Sequence, residues 1–168
     1  DLGNSGTGVR LLCGLLCNRG VKAKLVGDES LSSRSMMRII DPLSKMNAVL
    51  KHKNGFLPLE IQNNHDTSIP IKYNLKFGSA QIKSAILLAG LNLKGTTTVK
   101  ENIPSRDHTE IMLKHFGANI SKKKNIIKLQ SPNLLKSNDV EIPGDFSSAA
   151  FIIVATLITK NSNSTIKD

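Results

Sequence analysis

The chain has 168 residues, 39% of them hydrophobic, with a formal charge of +10 and a pI of about 9.8. That length fits one domain, or one domain and the start of a second, and it is enough to bury a core without staples; the apolar fraction excludes a disordered polymer. The longest apolar runs, Leu11–Cys17 and Phe151–Ile158, fall far short of the ~20 residues of a membrane helix. The opening Asp1-Leu2-Gly3-Asn4 shows no basic-then-apolar leader pattern, so a cytoplasmic protein with no membrane partner is expected.

Helical periodicity runs from about Thr7 to Asn18, with Leu11, Leu12, Leu15 and Leu16 as the expected apolar stripe and Gly20 as the stop. Cys13 and Cys17 share one face of that helix at i, i+4 spacing. The nearest His is His52, so the cysteines are expected to be small core residues in a reducing compartment rather than part of a metal site. Val21–Val26 alternates as a strand. A second helix is expected over Ser35–Met46, followed by strands at Val49–His52, Leu57–Ile61 and Ser68–Tyr73. The most apolar helix is expected over Ser79–Leu91, then a strand at Thr96–Lys100 and a helix over Thr109–His115. Strands at Ala118–Ser121, Ile126–Leu129 and Val140–Ile142 precede a last helix, Ser147–Ile158.

This order repeats after about 70 residues, the mark of a duplicated supersecondary unit. Gly6-Thr7-Gly8-Val9-Arg10 corresponds to Ser79-Ala80-Gln81-Ile82-Lys83, and Arg34 before the second helix corresponds to Arg106 before the fourth. Each unit reads α-β-α-β-β with one more strand in front, which makes the fold class α/β (α+β). Residues 1–142 are expected to form most of one domain, and residues 143–168 the crossover into another. The missing initial Met and the immediate Gly-rich motif read as a piece of a longer chain.

The repeat has a chemical consequence. Each unit sets a cation near a polar helix start (Thr7 with Arg10, Ser79 with Lys83) and an arginine before its second helix. Helix N-termini offer free N–H groups and partial positive charge, and together these suit phosphate or carboxylate groups. The helix starts near Thr7 and Ser79, with Arg34 and Arg106, are therefore expected on one face, and the Lys122–Lys124 hairpin tip away from it. The net charge also raises a basic nucleic-acid-binding module as an alternative. Against it stand the scatter of lysines over hairpin tips and a composition of one Tyr and no Trp for base stacking.

Taken singly, each motif also has an ordinary structural reading. Gly3-Asn4-Ser5-Gly6-Thr7 equally reads as a turn and N-cap, and it is not a P-loop, since no Gly-Lys-Ser/Thr follows. Gly27–Arg34 reads as a capped loop with a solvated arginine. Gln81 and Lys83 occupy positions that a buried helix gives to apolar side chains, and they need partners from a ligand, water or backbone. Before the fourth helix, Asp107 or Thr109 is the expected cap and Glu110 the residue that favours the dipole. His108 is the only His in that motif, so no metal site is expected. Pro143–Ala150 reads as a turn and a capped helix start.

In combination, the order and spacing of these motifs resemble the EPSP synthase branch of the enolpyruvyl transferase family. The resemblance is carried by Gly3–Thr7, Gly27–Leu31, Ser79–Gly90, Ser105-Arg106-Asp107-His108-Thr109-Glu110 and Pro143–Ala150, and it covers essentially the whole chain. It implies two domains built from βαβαββ units (an inside-out α/β barrel) with the site in the cleft between them. It implies transfer of the enolpyruvyl group of phosphoenolpyruvate to the 5-hydroxyl of shikimate 3-phosphate with release of phosphate, no metal or organic cofactor, and a monomer at full length.

Residue by residue, the resemblance makes Gly6, Thr7, Arg34 and Gln81 the phosphoenolpyruvate side. It makes Ser79, Ala80, Gln81 and Arg106 the shikimate 3-phosphate side. Lys83 and Asp145 lie in matching motifs without an implied direct role. Ser35 stands where the family usually has Pro, and Met46-Asn47-Ala48 where it usually has Met-Gly-Ala; Asn tolerates the left-handed conformation that a Gly takes there. The family's acid–base groups are expected outside these residues, so none of the residues here is expected to be a proton-transfer catalyst. The sister enzyme UDP-N-acetylglucosamine enolpyruvyl transferase is the nearest alternative, but its corresponding loop usually carries a Cys, and Gly27–Arg34 has none.

Overall fold

Ser5 turns an extended segment into the first helix. Its hydroxyl accepts from the Gly8 N–H at 3.0 Å, satisfying one of the free donors of a helix start. The helix, α1, runs over Gly6–Leu16. After it come β1 (Ala23–Leu25), α2 (Glu29–Ser32), α3 (Met37–Lys45), β2 (Leu50–Lys53), β3 (Phe56–Ile61) and a 3-10 turn (His65–Thr67). The chain continues through β4 (Lys72–Leu75), α4 (Ala80–Gly90), β5 (Gly95–Glu101), α5 (His108–His115), β6 (Ile120–Lys123), β7 (Ile126–Ser131) and α6 (Phe146–Ile158). This computed structural model describes residues 1–62 and 65–167, and the chain divides into two compact units, Asp1–Lys136 and Ser137–Asp168.

In the first unit the duplication is visible in the element order. One copy is α1-β1-α3-β2-β3, with the short α2 inserted; the next is β4-α4-β5-α5-β6-β7, a complete βαβαββ. The first copy's sheet has the order β1-β3-β2, antiparallel throughout, and the second has β4-β5-β7-β6 with β4 and β5 parallel. Helix α4 is the centre of the unit. Ile82, Ala85, Ile86, Leu87 and Ala89 are buried on several of its faces, against α1, α3 and β5.

Several sequence expectations need correction. The buried face of α1 is Val9, Cys13, Gly14 and Cys17, while Leu12 is exposed and Leu11, Leu15 and Leu16 are only partly buried. The small residues win because α1 lies close against α4: a Cβ on Gly14 would fall 2.3 Å from the Ala85 carbonyl oxygen. The strand expected from Ser68 begins only at Lys72, since Pro70 has no N–H to give a ladder and the Ser68 hydroxyl donates to Asn18 instead. Helix α2 lies in what reads as loop, held by the Asp28 carboxylate, which accepts from the Leu31 N–H at 2.7 Å, and by the fully buried Leu31. Val140–Ile142 forms no strand; all three residues are exposed and pair with no neighbour strand among the described residues.

Asn47 takes a φ of 62°, the left-handed role read for it. Cys13 and Cys17 are buried free thiols. In the second unit, Asp145 caps α6 by accepting from the Ser147 N–H and the Ser148 hydroxyl, and these bonds lower its carboxyl below the usual range. No described helix is long and apolar enough to cross a membrane.

Candidate functional site

The close approach of α1 and α4 brings their N-terminal turns together. The Gln81 side-chain amide donates to the Thr7 hydroxyl at 2.9 Å, and its carbonyl oxygen accepts from Arg10 Nη1 at 3.1 Å. Arg10 also donates to the Gly6 carbonyl at 3.0 Å. Gly6 is buried beneath two guanidinium groups: a Cβ there would lie 3.0 Å from Arg10 Nη1 and 3.2 Å from Arg34 Nη1. Any larger residue at position 6 must therefore push one of these cations aside.

Arg34 is aimed by the loop it ends. Its Nη2 donates to Asn4 Oδ1 at 2.5 Å and to Ser30 Oγ at 3.0 Å. Asn4 in turn donates to Asp28 at 2.8 Å. Asp28 is held below the ordinary carboxylate range by the Leu31 N–H, then by Asn4, with Arg34 adding a smaller contribution. The Gly-rich opening and the polar loop are thus one hydrogen-bonded cradle around a single guanidinium.

Arg10, Arg34, Ser35, Arg38, Ser79, Gln81 and Ile82 line a cleft of about 280 Å³. None of these lining residues carries a carboxylate. Burial lowers the Arg10 pKa, and repulsion from Arg34 and Arg38 lowers it further, so three like charges meet in a cleft whose lining offers them no carboxylate. The chemistry of such a cleft suits an anion carrying more than one charge. Arg38 was not singled out in the sequence; the available signal was a second arginine four residues after Arg34 at a helix start. Ser79 caps α4, accepting from the Ile82 N–H at 3.4 Å, and Ala80 is the first residue of α4. Thr7, Gly6 and Gln81 are therefore joined with Arg34, and Ser79 lies on the same cleft.

Arg106 is not among the lining residues. It is exposed on the loop between β5 and α5 and makes no hydrogen bond or ion pair among the described residues. The hairpin tip is not remote from it: Lys122 Nζ lies 3.7 Å from Asp107 Oδ2. The first copy does the same, the Met36 N–H donating to the Gly55 carbonyl at 2.7 Å. In both copies the hairpin folds back beside the start of its own unit's second helix, and none of Lys122, Lys123 and Lys124 lines the cleft.

The capping roles also change. Asp107 makes no side-chain cap bond because it faces Lys122, and the Thr109 hydroxyl meets Ser84 Oγ at 2.6 Å. Glu110 is buried and lies 2.7 Å from Lys83 Nζ, so neither residue serves the open helix start. Among the described residues, no group of three or more His, Cys, Asp or Glu is placed to hold a metal ion.

The family model for EPSP synthase (3-phosphoshikimate 1-carboxyvinyltransferase) matches residues 1–168. A 3-phosphoshikimate 1-carboxyvinyltransferase of Leuconostoc mesenteroides is 48% identical over 168 residues, covering 99% of this chain and 38% of that protein. One from Coxiella burnetii is 49% identical over 162 residues, 96% of this chain and 37% of that protein. The solved EPSP synthase from Acinetobacter baumannii superposes with a TM-score of 0.81 at 42% identity, over 94% of this chain and 36% of that one. The chain thus spans somewhat over a third of the length of the relatives it matches, and its repeated units are those of the enolpyruvyl transferase fold. A family match from end to end leads to one conclusion: the chain belongs to the EPSP synthase family.

Proposed function

We propose that this chain forms the substrate-holding part of an enzyme that transfers the enolpyruvyl group of phosphoenolpyruvate to the 5-hydroxyl of shikimate 3-phosphate, a step toward aromatic amino acids. The observation that carries the reading is the cleft lined by Arg10, Arg34 and Arg38 with no carboxylate among its lining residues. Phosphoenolpyruvate brings a phosphate and a carboxylate, and guanidinium forks bind both groups bidentately. On this reading Arg34, with Gly6, Thr7 and Gln81, holds phosphoenolpyruvate. Ser79, Ala80, Gln81 and Arg106 hold shikimate 3-phosphate, and Gln81 reaches both. Residues 1–142 are assigned to one domain, with 143–168 leading into the next, in a cytoplasmic enzyme that acts as a monomer at full length.

The reaction makes a bond from the 5-oxygen to the central carbon of the enolpyruvyl group and breaks the bond from that carbon to phosphate. A proton must leave the hydroxyl and one must reach the methylene carbon, making it a methyl group as the new bond forms; that methyl must then give a proton back as phosphate leaves, which restores the double bond. These residues orient the reactants and stabilise charge, and the proton-moving groups are assigned to other parts of a longer chain. Arg34→Ala in the full-length enzyme tests the reading. Losing a desolvated charge pair costs on the order of 2–5 kcal/mol. The phosphoenolpyruvate KM is therefore expected to rise on the order of a hundredfold, and the shikimate 3-phosphate KM far less. Unchanged phosphoenolpyruvate KM and kcat would reduce Arg34 to a surface residue and remove the proposed site.

A further inference from the structure

Away from the cleft, the unit Asp1–Lys136 buries a charged cluster that the proposed function does not use. Lys83 is 0% exposed, Glu101 1% and Glu110 7%. Lys83 Nζ lies 3.2 Å from Glu101 Oε1 and 2.7 Å from Glu110 Oε1. These residues come from α4, the end of β5 and the first turn of α5. Desolvating such a cluster is expensive, and apolar side chains of similar volume would commonly be as stabilising. Its geometry shows what it provides in return.

Every polar backbone and side-chain group of Ser105 is tied to it. Glu101 Oε1 accepts from the Ser105 N–H at 3.1 Å and from the Ser105 hydroxyl. Lys83 Nζ donates to the Ser105 carbonyl at 3.5 Å. The next residue is Arg106, whose own side chain is exposed and uncommitted among the described residues. Lys83 lies one helical turn after Ser79 and Ala80, so the same cluster joins the start of α4 to the loop that carries Arg106. The Ser84–Thr109 hydroxyl pair adds a second tie between α4 and α5.

We propose that Lys83 and Glu101 are positioning residues, which fix Ser105 and so aim Arg106 at the phosphate-bearing substrate held at the start of α4. This rests on the reading of Arg106 as a shikimate 3-phosphate contact. The test is a double-mutant cycle in the full-length enzyme with Lys83→Met, Arg106→Ala and their combination. Lys83→Met is expected to raise the shikimate 3-phosphate KM about tenfold, as misaiming a binding group does, with the phosphoenolpyruvate KM within about twofold. The combined variant is expected to bind shikimate 3-phosphate no worse than Arg106→Ala alone, because both changes remove one interaction.

Additive effects, or a lowered melting temperature with both KM values unchanged, would make the cluster purely structural and overturn the proposal. Should Arg106→Ala itself leave the shikimate 3-phosphate KM unchanged, the site reading fails and the proposal falls with it. An effect of Arg106→Ala with none from Lys83→Met defeats the proposal alone. If Lys83→Met does not fold, Ser105→Ala, which removes only the hydroxyl bond to Glu101, enters the same cycle. The expectation is then a smaller rise, again absent in the Arg106→Ala background, and a rise that persists in that background overturns the proposal.

Discussion

Replacing Gly14 by Ala tests whether the cleft depends on how closely α1 and α4 approach. The new Cβ would lie 2.3 Å from the Ala85 oxygen, 2.6 Å from its Cα and 2.8 Å from its carbonyl carbon, whereas ordinary contact begins at 3.4 Å. The helices must therefore part by about 1 Å, and the atoms in the way are backbone, which cannot rotate aside. Overpacking of this kind costs about 1–3 kcal/mol, and the better helix propensity of Ala returns roughly 0.8–1.0 kcal/mol. Because no side chain can yield, the cost belongs at the upper end, leaving a net loss of about 1–2 kcal/mol. Urea unfolding of the chain, followed by circular dichroism, reads this as a midpoint lower by roughly 0.5–1 M at an m-value of about 2 kcal/mol/M, the middle of the usual range. Adding Ala85→Gly removes only a methyl group and is expected to restore nothing. The same separation stretches the 2.9 Å Gln81–Thr7 and 3.1 Å Arg10–Gln81 bonds, so phosphoenolpyruvate affinity is expected to fall with stability. A Gly14→Ala protein as stable as the parent, or one rescued by Ala85→Gly, would show that backbone contact does not set the helix spacing.

Three further outcomes are expected. Burial pushes the Cys13 thiol up to about 12 and raises Cys17 further, with Cys13 adding to the effect at Cys17. Both thiols are thus expected to resist a disulfide reagent at pH 8 until urea is added; equally fast labelling of the native chain would contradict their burial. The raised values also give a pH dependence. The stabilisation is complete below the ordinary thiol value of 9.0. Above it the unfolded chain loses protons first, and stability falls toward pH 12 by about 1.4 kcal/mol per pH unit per thiol. Urea midpoints at pH 8 and pH 10, compared with those of Cys13→Ala, check the sign. Finally, the 168-residue chain alone is expected to release no phosphate from phosphoenolpyruvate and shikimate 3-phosphate, and turnover above background would place the proton-moving groups within it.

Local signals carried much of this structure. Periodicity located α1, α3, α4, α5 and α6 to within a few residues, and the duplicated order foretold that the starts of α1 and α4 meet. Sequence reasoning failed where the outcome depended on distance between elements. A four-leucine stripe outweighs two cysteines and a glycine by hydrophobicity, yet a close helix crossing selects the small residues. Lys83 beside Ser79 reads as a second ligand cation, and Glu110 as a dipole partner. Only the fold brings Lys83 and Glu110 to 2.7 Å and turns both inward.

Arg10 and Lys83 occupy the same place in the two copies, each on the fifth residue of its motif. In the first copy that cation opens on a cleft lined with positive charge. In the second it meets Glu101 and Glu110, two carboxylates of the protein itself. The second copy is thus a plugged version of the first, with built-in acids standing where the open copy leaves room for an acidic guest. The filled copy still lends Ser79 and Gln81 from the start of its helix to the cleft, so the duplicated unit neutralises one of its two equivalent cations and leaves the other facing the opening.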